Sequence, residues 1–118
     1  MGWDIEGTNQ FSEWYDGLNA ADDDAVSEAI DTLADSGPAL GRPFVDTLTG
    51  SRIPNLKELR PKRSDIRILF VFDPRRTAIL LLGGSKTNDW RGWYERNIPV
   101  AEGLYNDYLL ELRKEEAL

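Results

Sequence analysis

Between positions 51 and 76 the chain carries eight bases, Arg52, Lys57, Arg60, Lys62, Arg63, Arg67, Arg75 and Arg76, against the acids Glu58, Asp65 and Asp73. A guanidinium has a permanent charge and a planar fork of donors that matches phosphate, so this block is a candidate anion-binding surface. A solvated hairpin would show the same composition. The contrast with its surroundings is large. Residues 1–50 hold eleven acids against Arg42 alone, and the 118-residue chain has a net charge of −7. Phosphate contacts depend on local charge, so the acidic total does not exclude a nucleic-acid partner.

Other chemistries are removed by what the chain lacks. With no cysteine there is no disulfide or thiolate chemistry, and with no histidine a zinc site would have to be built from carboxylates alone. Asp22-Asp23-Asp24 suits the start of a helix, where carboxylates complement the dipole, better than a cation site with no other convergent oxygens. Neither a metal nor a cofactor is expected. The apolar runs 68–72 and 78–82 are far short of the roughly 20 residues that span a bilayer, and the acidic N-terminus has no signal-like apolar core, so a cytoplasmic location is the default expectation.

The elements that must position these side chains follow from periodicity. Trp3, Ile5 and Gly7 alternate with acids as in a short strand. Phe11, Trp14, Tyr15 and Leu18 share one helical face behind a Thr8 or Asn9 cap, and a second helix is expected from Asp22–Asp24 to Ser36-Gly37-Pro38. Residues 39–54 read as a connecting loop that touches the sheet edge. Three strands follow, Leu56–Arg60, Ile66–Phe72 and Thr77–Leu82, the last two joined by a tight turn at Asp73-Pro74-Arg75-Arg76. In the middle strand Ile66, Ile68, Phe70 and Phe72 should meet the helices, which commits Arg67 to the other face. Gly83-Gly84 should break the third strand. A short amphipathic piece with Trp90, Trp93 and Tyr94 then precedes a break at Asn97-Ile98-Pro99 and a last helix with Val100, Leu104, Tyr108 and Leu112 on its apolar face. The fold class is α+β in one domain, 1–118, with an N-terminal strand, a two-helix hairpin, an antiparallel sheet of about four strands and a C-terminal helix.

This order, together with Asn55-Leu56-Lys57-Glu58-Leu59-Arg60-Pro61 and Ile66-Arg67-Ile68-Leu69-Phe70-Val71-Phe72-Asp73-Pro74, resembles the RelE/HigB toxin family over almost the whole chain. Gly83-Gly84-Ser85-Lys86-Thr87, the Trp93-Tyr94 segment, Ala39-Leu40-Gly41-Arg42-Pro43 and Ile98-Pro99-Val100-Ala101 look like its phage-derived, HigB-like branch. The resemblance implies a ribosome-dependent mRNA endonuclease, metal-independent, neutralised by a cognate antitoxin of helix-turn-helix type. Cleavage by the RNA 2′-hydroxyl needs a base, cations at the phosphate and an acid for the leaving oxygen.

Under that resemblance Arg60 and Arg67 are the phosphate contacts, and Lys86 lies near the scissile phosphate. Tyr94 stacks on a base or donates a proton, and Glu58 is the candidate base in a chain without histidine. Lys57, Lys62, Arg63 and Arg91 are expected along the RNA. Each has a plainer alternative: Arg60 and Arg67 in ion pairs with Glu58 or Asp65, Lys86 merely solvated, and Tyr94 packed with Trp90 and Trp93. A gyrase-inhibiting, ParE-like activity and a degenerate toxin acting as a repressor component are the competing functions, because one fold hosts several activities. A basic block on a sheet could accept an acidic or amphipathic antitoxin segment that folds on binding.

Overall fold

The computed structural model describes residues 2–85 and 89–117. Strand β1 (Asp4–Gly7) is followed by helices α1 (Asn9–Asp16) and α2 (Ala20–Ser36), strands β2 (Val45–Thr47), β3 (Lys57–Leu59), β4 (Ile66–Asp73) and β5 (Thr77–Ser85), and helix α3 (Trp90–Ala117). The sheet has five strands in the order β1-β5-β4-β3-β2. β1 runs parallel to β5, and all other pairs are antiparallel. The α+β class and the strand, helix-hairpin, sheet, helix order agree with expectation; the fifth strand is β2, three residues within the stretch read as loop.

Local chemistry sets the helix starts. Thr8 caps α1 by accepting from the Phe11 N–H at 3.0 Å, and also donates to the Leu81 carbonyl at 2.7 Å, which ties that cap to the sheet. α2 begins two residues before Asp22, because the Asn19 side chain takes the Asp22 N–H at 2.8 Å; Asp22 and Asp23 occupy its first turn rather than its cap. In the β4–β5 turn the Arg76 N–H bonds the Asp73 carbonyl at 3.1 Å, and Arg76 itself is left-handed at φ 65°.

Both faces of the sheet are covered. Ile66, Ile68 and Phe70 pack with Phe11, Val26 and Leu33 from α1 and α2, as the alternation of β4 predicts. Leu69 and Val71 face the other way and meet Trp93 and Ala101 of α3. A register shift at Leu69/Phe70 sends two consecutive β5 residues, Leu81 and Leu82, into this second core.

Three expectations about the tail are corrected by that packing. β5 does not break at Gly83-Gly84 but continues to Ser85. The two glycines instead admit tryptophans from opposite layers: a Cβ at Gly83 would lie 2.3 Å from the Trp14 ring, and one at Gly84 would lie 2.7 Å from Trp93 Nε1. The helix does not restart after Pro99 either. Pro99 lies inside α3 and costs it one backbone hydrogen bond, but Trp93, Ile98, Ala101, Leu104 and Tyr108 hold the helix to the sheet on both sides of the proline. Val100, expected on the apolar face, is 41% exposed; Ala101 takes the buried position.

Gly83→Ala should therefore lower stability by about 1–3 kcal/mol through overpacking against Trp14, read as a lower urea midpoint at unchanged slope; an unchanged midpoint would mean that the ring moves aside freely.

Candidate functional site

β3 is short, but its alternation decides the site. Leu59 enters the core under α1 and α2, so Glu58 must point towards α3, where it is 1% exposed. Such a carboxylate needs partners. Arg60, two residues along on the same side, donates to Oε2 from Nη2 at 2.7 Å and from Nε at 3.1 Å. Tyr94, in the second turn of α3, donates its hydroxyl to Oε1. Arg67 of β4 comes from the facing strand, with Nε 3.8 Å from Oε1. Four of the five expected catalytic residues, Glu58, Arg60, Arg67 and Tyr94, thus converge. Lys86 lies outside the described residues.

The arrangement has a definite electrostatic character. Arg67 is held by Nη1, which donates to the Ile66 and Ser64 carbonyls at 2.8 and 3.3 Å, while its buried Nε has no hydrogen-bond acceptor among the described residues. A buried donor without an acceptor carries a desolvation cost, which a ligand oxygen would relieve. Burial, and then the Glu58 carboxylate beside it, push the Tyr94 phenol up to about 12, so at neutral pH it donates a proton and is not a base. The Arg60 guanidinium is held still more firmly protonated by its hydrogen bonds to Glu58. Glu58 Oε2 thus accepts twice from Arg60 and Oε1 once from Tyr94, so the carboxylate is hydrogen-bonded at both oxygens.

A cavity of about 630 Å³ opens beside the cluster, walled by Asp46, Arg52, Glu58, Arg60, Trp90 and Tyr94 among others. Its far wall is the loop after β2, fastened across α3 by Glu102, whose Oε2 accepts from Ser51 Oγ at 2.9 Å and from the Arg52 N–H at 2.5 Å. Those bonds, the backbone one foremost, hold the Glu102 carboxyl below its usual range.

The expected RNA-lining bases do not gather around this cavity. Arg91 does, on its α3 wall. Lys57 alternates with Glu58, leaves the other face and donates to Thr47 Oγ1 at 2.8 Å. Lys62 pairs with Glu28 of α2 at 3.4 Å and lies 5.4 Å from the centre of the Phe44 ring, while Arg63 sits beside it in the β3–β4 turn at φ 56°.

The sequence reading did not single out Asp46 or Glu102, counted Arg52 only within the basic block, and placed Trp90 with Trp93 in packing against Tyr94. Asp46 Oδ2 lies 3.2 Å from both Arg42 and Arg60, and the Arg42 hydrogen bond is the main reason that its carboxyl is lowered. Only the four-residue spacing from Arg42 could have hinted at it. Trp90, grouped with Trp93, is 56% exposed where Trp93 is 6% exposed.

Comparisons with known proteins agree with this geometry. The family model described as phage derived protein Gp49-like (DUF891) matches residues 13–106. Two Mycobacterium tuberculosis proteins that carry toxin names are similar to the chain. HigB3 is 49% identical over 100 residues, covering 85% of this chain and 88% of that protein. HigB2 is 43% identical over 114 residues, covering 94% of this chain but only 56% of that protein, so the chain spans about half of that relative's length. Among solved structures, RelE from the Pyrococcus horikoshii RelE–RelB complex superposes with a TM-score of 0.60 at 19% identity, over 75% of this chain and 99% of that one. The isolated Escherichia coli RelE toxin gives 0.60 at 9% identity, over 80% and 97%. At such identities the structures speak for the fold.

Two measurements test the cluster. Glu58→Ala strands Arg67 and frees Arg60 from its main partner, so it should cost about 3 kcal/mol in urea unfolding, the low end for breaking a buried pair because Arg60 is part-exposed. The Tyr94 proton is bound more tightly in the folded chain, so its contribution to stability is present below the unfolded phenol value near 10 and is lost as pH rises towards about 12. Tyr94→Phe should accordingly flatten the fall in stability across that window; an unchanged slope would place the phenol outside the Glu58 cluster.

Proposed function

Because this chain belongs to the RelE/HigB toxin family, in its phage-derived Gp49-like branch, we propose that it is an mRNA endoribonuclease acting on the ribosome and silenced by a cognate antitoxin of helix-turn-helix type. The observation that carries this reading is the convergence of two guanidiniums, a protonated phenol and a carboxylate, of which Arg60, Tyr94 and Glu58 line a cavity of about 630 Å³ and Arg67 is buried next to Glu58. These are the groups that in-line attack by a 2′-hydroxyl requires.

The scissile phosphate exchanges places with Glu58 as the partner of Arg60 and Arg67, and the unsatisfied Arg67 Nε gains an acceptor. Glu58, released, takes the proton of the 2′-hydroxyl as its oxygen bonds to phosphorus. Tyr94 gives its proton to the departing 5′-oxygen as the P–O5′ bond breaks, leaving a 2′,3′-cyclic phosphate and a 5′-hydroxyl. The two guanidiniums stabilise the charge on the pentacoordinate phosphorus. Proton exchange with water then restores Tyr94 and Glu58. Lys86 and Arg91 keep their proposed roles as further cations for the RNA, whereas Lys57, Lys62 and Arg63 lie away from this cavity and are not assigned to it. The structures of RelE with RelB support an antitoxin partner here.

Induction in a bacterial host should arrest growth and shorten transcripts, and Arg67→Ala should reduce cleavage at least about 100-fold, the usual consequence of losing one charge-stabilising donor. Full toxicity in Arg67→Ala would remove that residue from the mechanism. Growth arrest with intact transcripts and inhibited DNA supercoiling would overturn the nuclease reading in favour of gyrase inhibition.

A further inference from the structure

β3 acts as a partition between two cavities. The site cavity lies towards α3, and a groove of about 600 Å³ lies on the α2 side. Glu58 lines the first and Leu59 the second, while Arg60 is the one described residue in the walls of both. The groove has an apolar floor of Leu40, Phe44 and Leu59, with the small side chains of Ala25 and Ala29 on α2 leaving room above it. One rim is basic, with Lys62 and Arg63; the other carries Asp22 and Glu28. Among the described residues one ion pair ties the rims, Lys62 to Glu28, between side chains 63% and 62% exposed. Such a pair contributes about 1 kcal/mol at most and yields readily to a competing carboxylate.

We propose that this groove receives the neutralising partner through an acidic amphipathic helical segment. One large apolar side chain of that segment seats on Leu59 and Phe44, its carboxylates pair with Lys62 and Arg63, and β3 transmits its arrival to the Glu58–Arg60 pair. The inference rests on the partner reading above and adds where the partner binds and how it silences the site without covering it. Charge complementarity selects the occupant: Lys62 and Arg63 are adjacent bases on a chain of net charge −7, and an apolar floor suits a hydrophobic side chain, not a sugar-phosphate backbone.

The mechanical link is short. β3 is three residues long and pairs with β4 on one side and the three-residue edge strand β2 on the other, so a push on Leu59 acts directly on its neighbours Glu58 and Arg60. The Arg60 contacts to Glu58, at 2.7 and 3.1 Å, weaken with a shift of only a few tenths of an ångström.

The test uses the purified full chain and a 14-residue, end-capped peptide of leucine and glutamate with helical spacing. The Arg60 Nε–H nuclear magnetic resonance, assigned by its loss in Arg60→Lys, should move on binding. Ala25→Trp fills the groove and should raise the peptide Kd at least tenfold; Ala21→Trp, at the exposed start of α2, serves if the first variant does not fold. A leucine and lysine peptide of equal length should bind at least tenfold more weakly than the acidic one. No binding of the acidic peptide, equal affinity for the filled groove, or binding without a change at Arg60 would overturn the proposal. Displacement of the peptide by a single-stranded RNA oligonucleotide would reassign the groove to nucleic acid. No RNA cleavage is measured, so failure here leaves the Arg67→Ala result standing, and the reverse holds equally.

Discussion

Glu58 is a carboxylate withdrawn from water on a strand of three residues, and desolvating such a group costs several kcal/mol unless hydrogen bonds return it. Its partners come from three elements: Arg60 just beyond β3, Arg67 from β4 and Tyr94 from α3. That one requirement fixes the relative placement of the short strand, the long hairpin and the first turns of the last helix. The same bonds that make the fold consistent also hold the groups of the candidate site in reserve. With both carboxylate oxygens hydrogen-bonded, any incoming anion meets guanidiniums that already have a partner and must replace it.

The rest of the architecture keeps α3 where Tyr94 can reach Glu58. Gly84 lets Trp93 press against β5, and Trp93 immediately precedes Tyr94, so a close approach between ring and strand sets the height of the phenol over the sheet. Farther along, Tyr108 donates to Glu6 at 2.6 Å and accepts from Arg75 at 2.5 Å, which pins α3 to the hairpin turn and to β1. Pro99 lies between these anchors. A helix tied down at both ends can carry a missing hydrogen bond in the middle, because tertiary packing supplies most helical stability in a folded chain.

Much of this was legible in the residues. The period-2 pattern of β4 assigned Arg67 to the face opposite Ile66 and Ile68, and the Asp73-Pro74 turn fixed the hairpin; both follow from local sterics. Ion pairs of Arg60 and Arg67 with Glu58 were the plainer reading of those residues and are present, whereas the arrival of Tyr94 beside them was expected only through a family resemblance, since helix placement depends on contacts distant in sequence. What local pattern missed has the same cause. Val45–Thr47 lacks strand length and becomes β2 only because β3 offers an edge. Gly83-Gly84 reads as a breaker unless the tryptophans that need the space are known. Pro99 reads as a helix boundary unless the apolar contacts on either side are counted. Trp90 and Trp93, three residues apart, look like one face until the sheet takes Trp93 and leaves Trp90 outside.

The charge pattern takes on a different meaning in three dimensions. The acids of α1 and α2 lie on one face of the sheet and the arginine cluster on the other, separated by a layer spacing of about 10 Å. The net charge of −7 is not confined to that far face, because α3 itself carries Glu95, Glu102, Asp107, Glu111, Glu115 and Glu116. Close to the site the bases are not in surplus: Arg60 is shared between Glu58 and Asp46, and Arg42 also holds Asp46. Anion recognition there depends on exchange, in which an incoming oxygen must offer these guanidiniums better geometry than the carboxylates they release. The unsatisfied Nε of Arg67 is the donor that Glu58, 3.8 Å away, does not reach with a hydrogen bond. The cluster thus keeps one donor whose bond the folded chain leaves unmade.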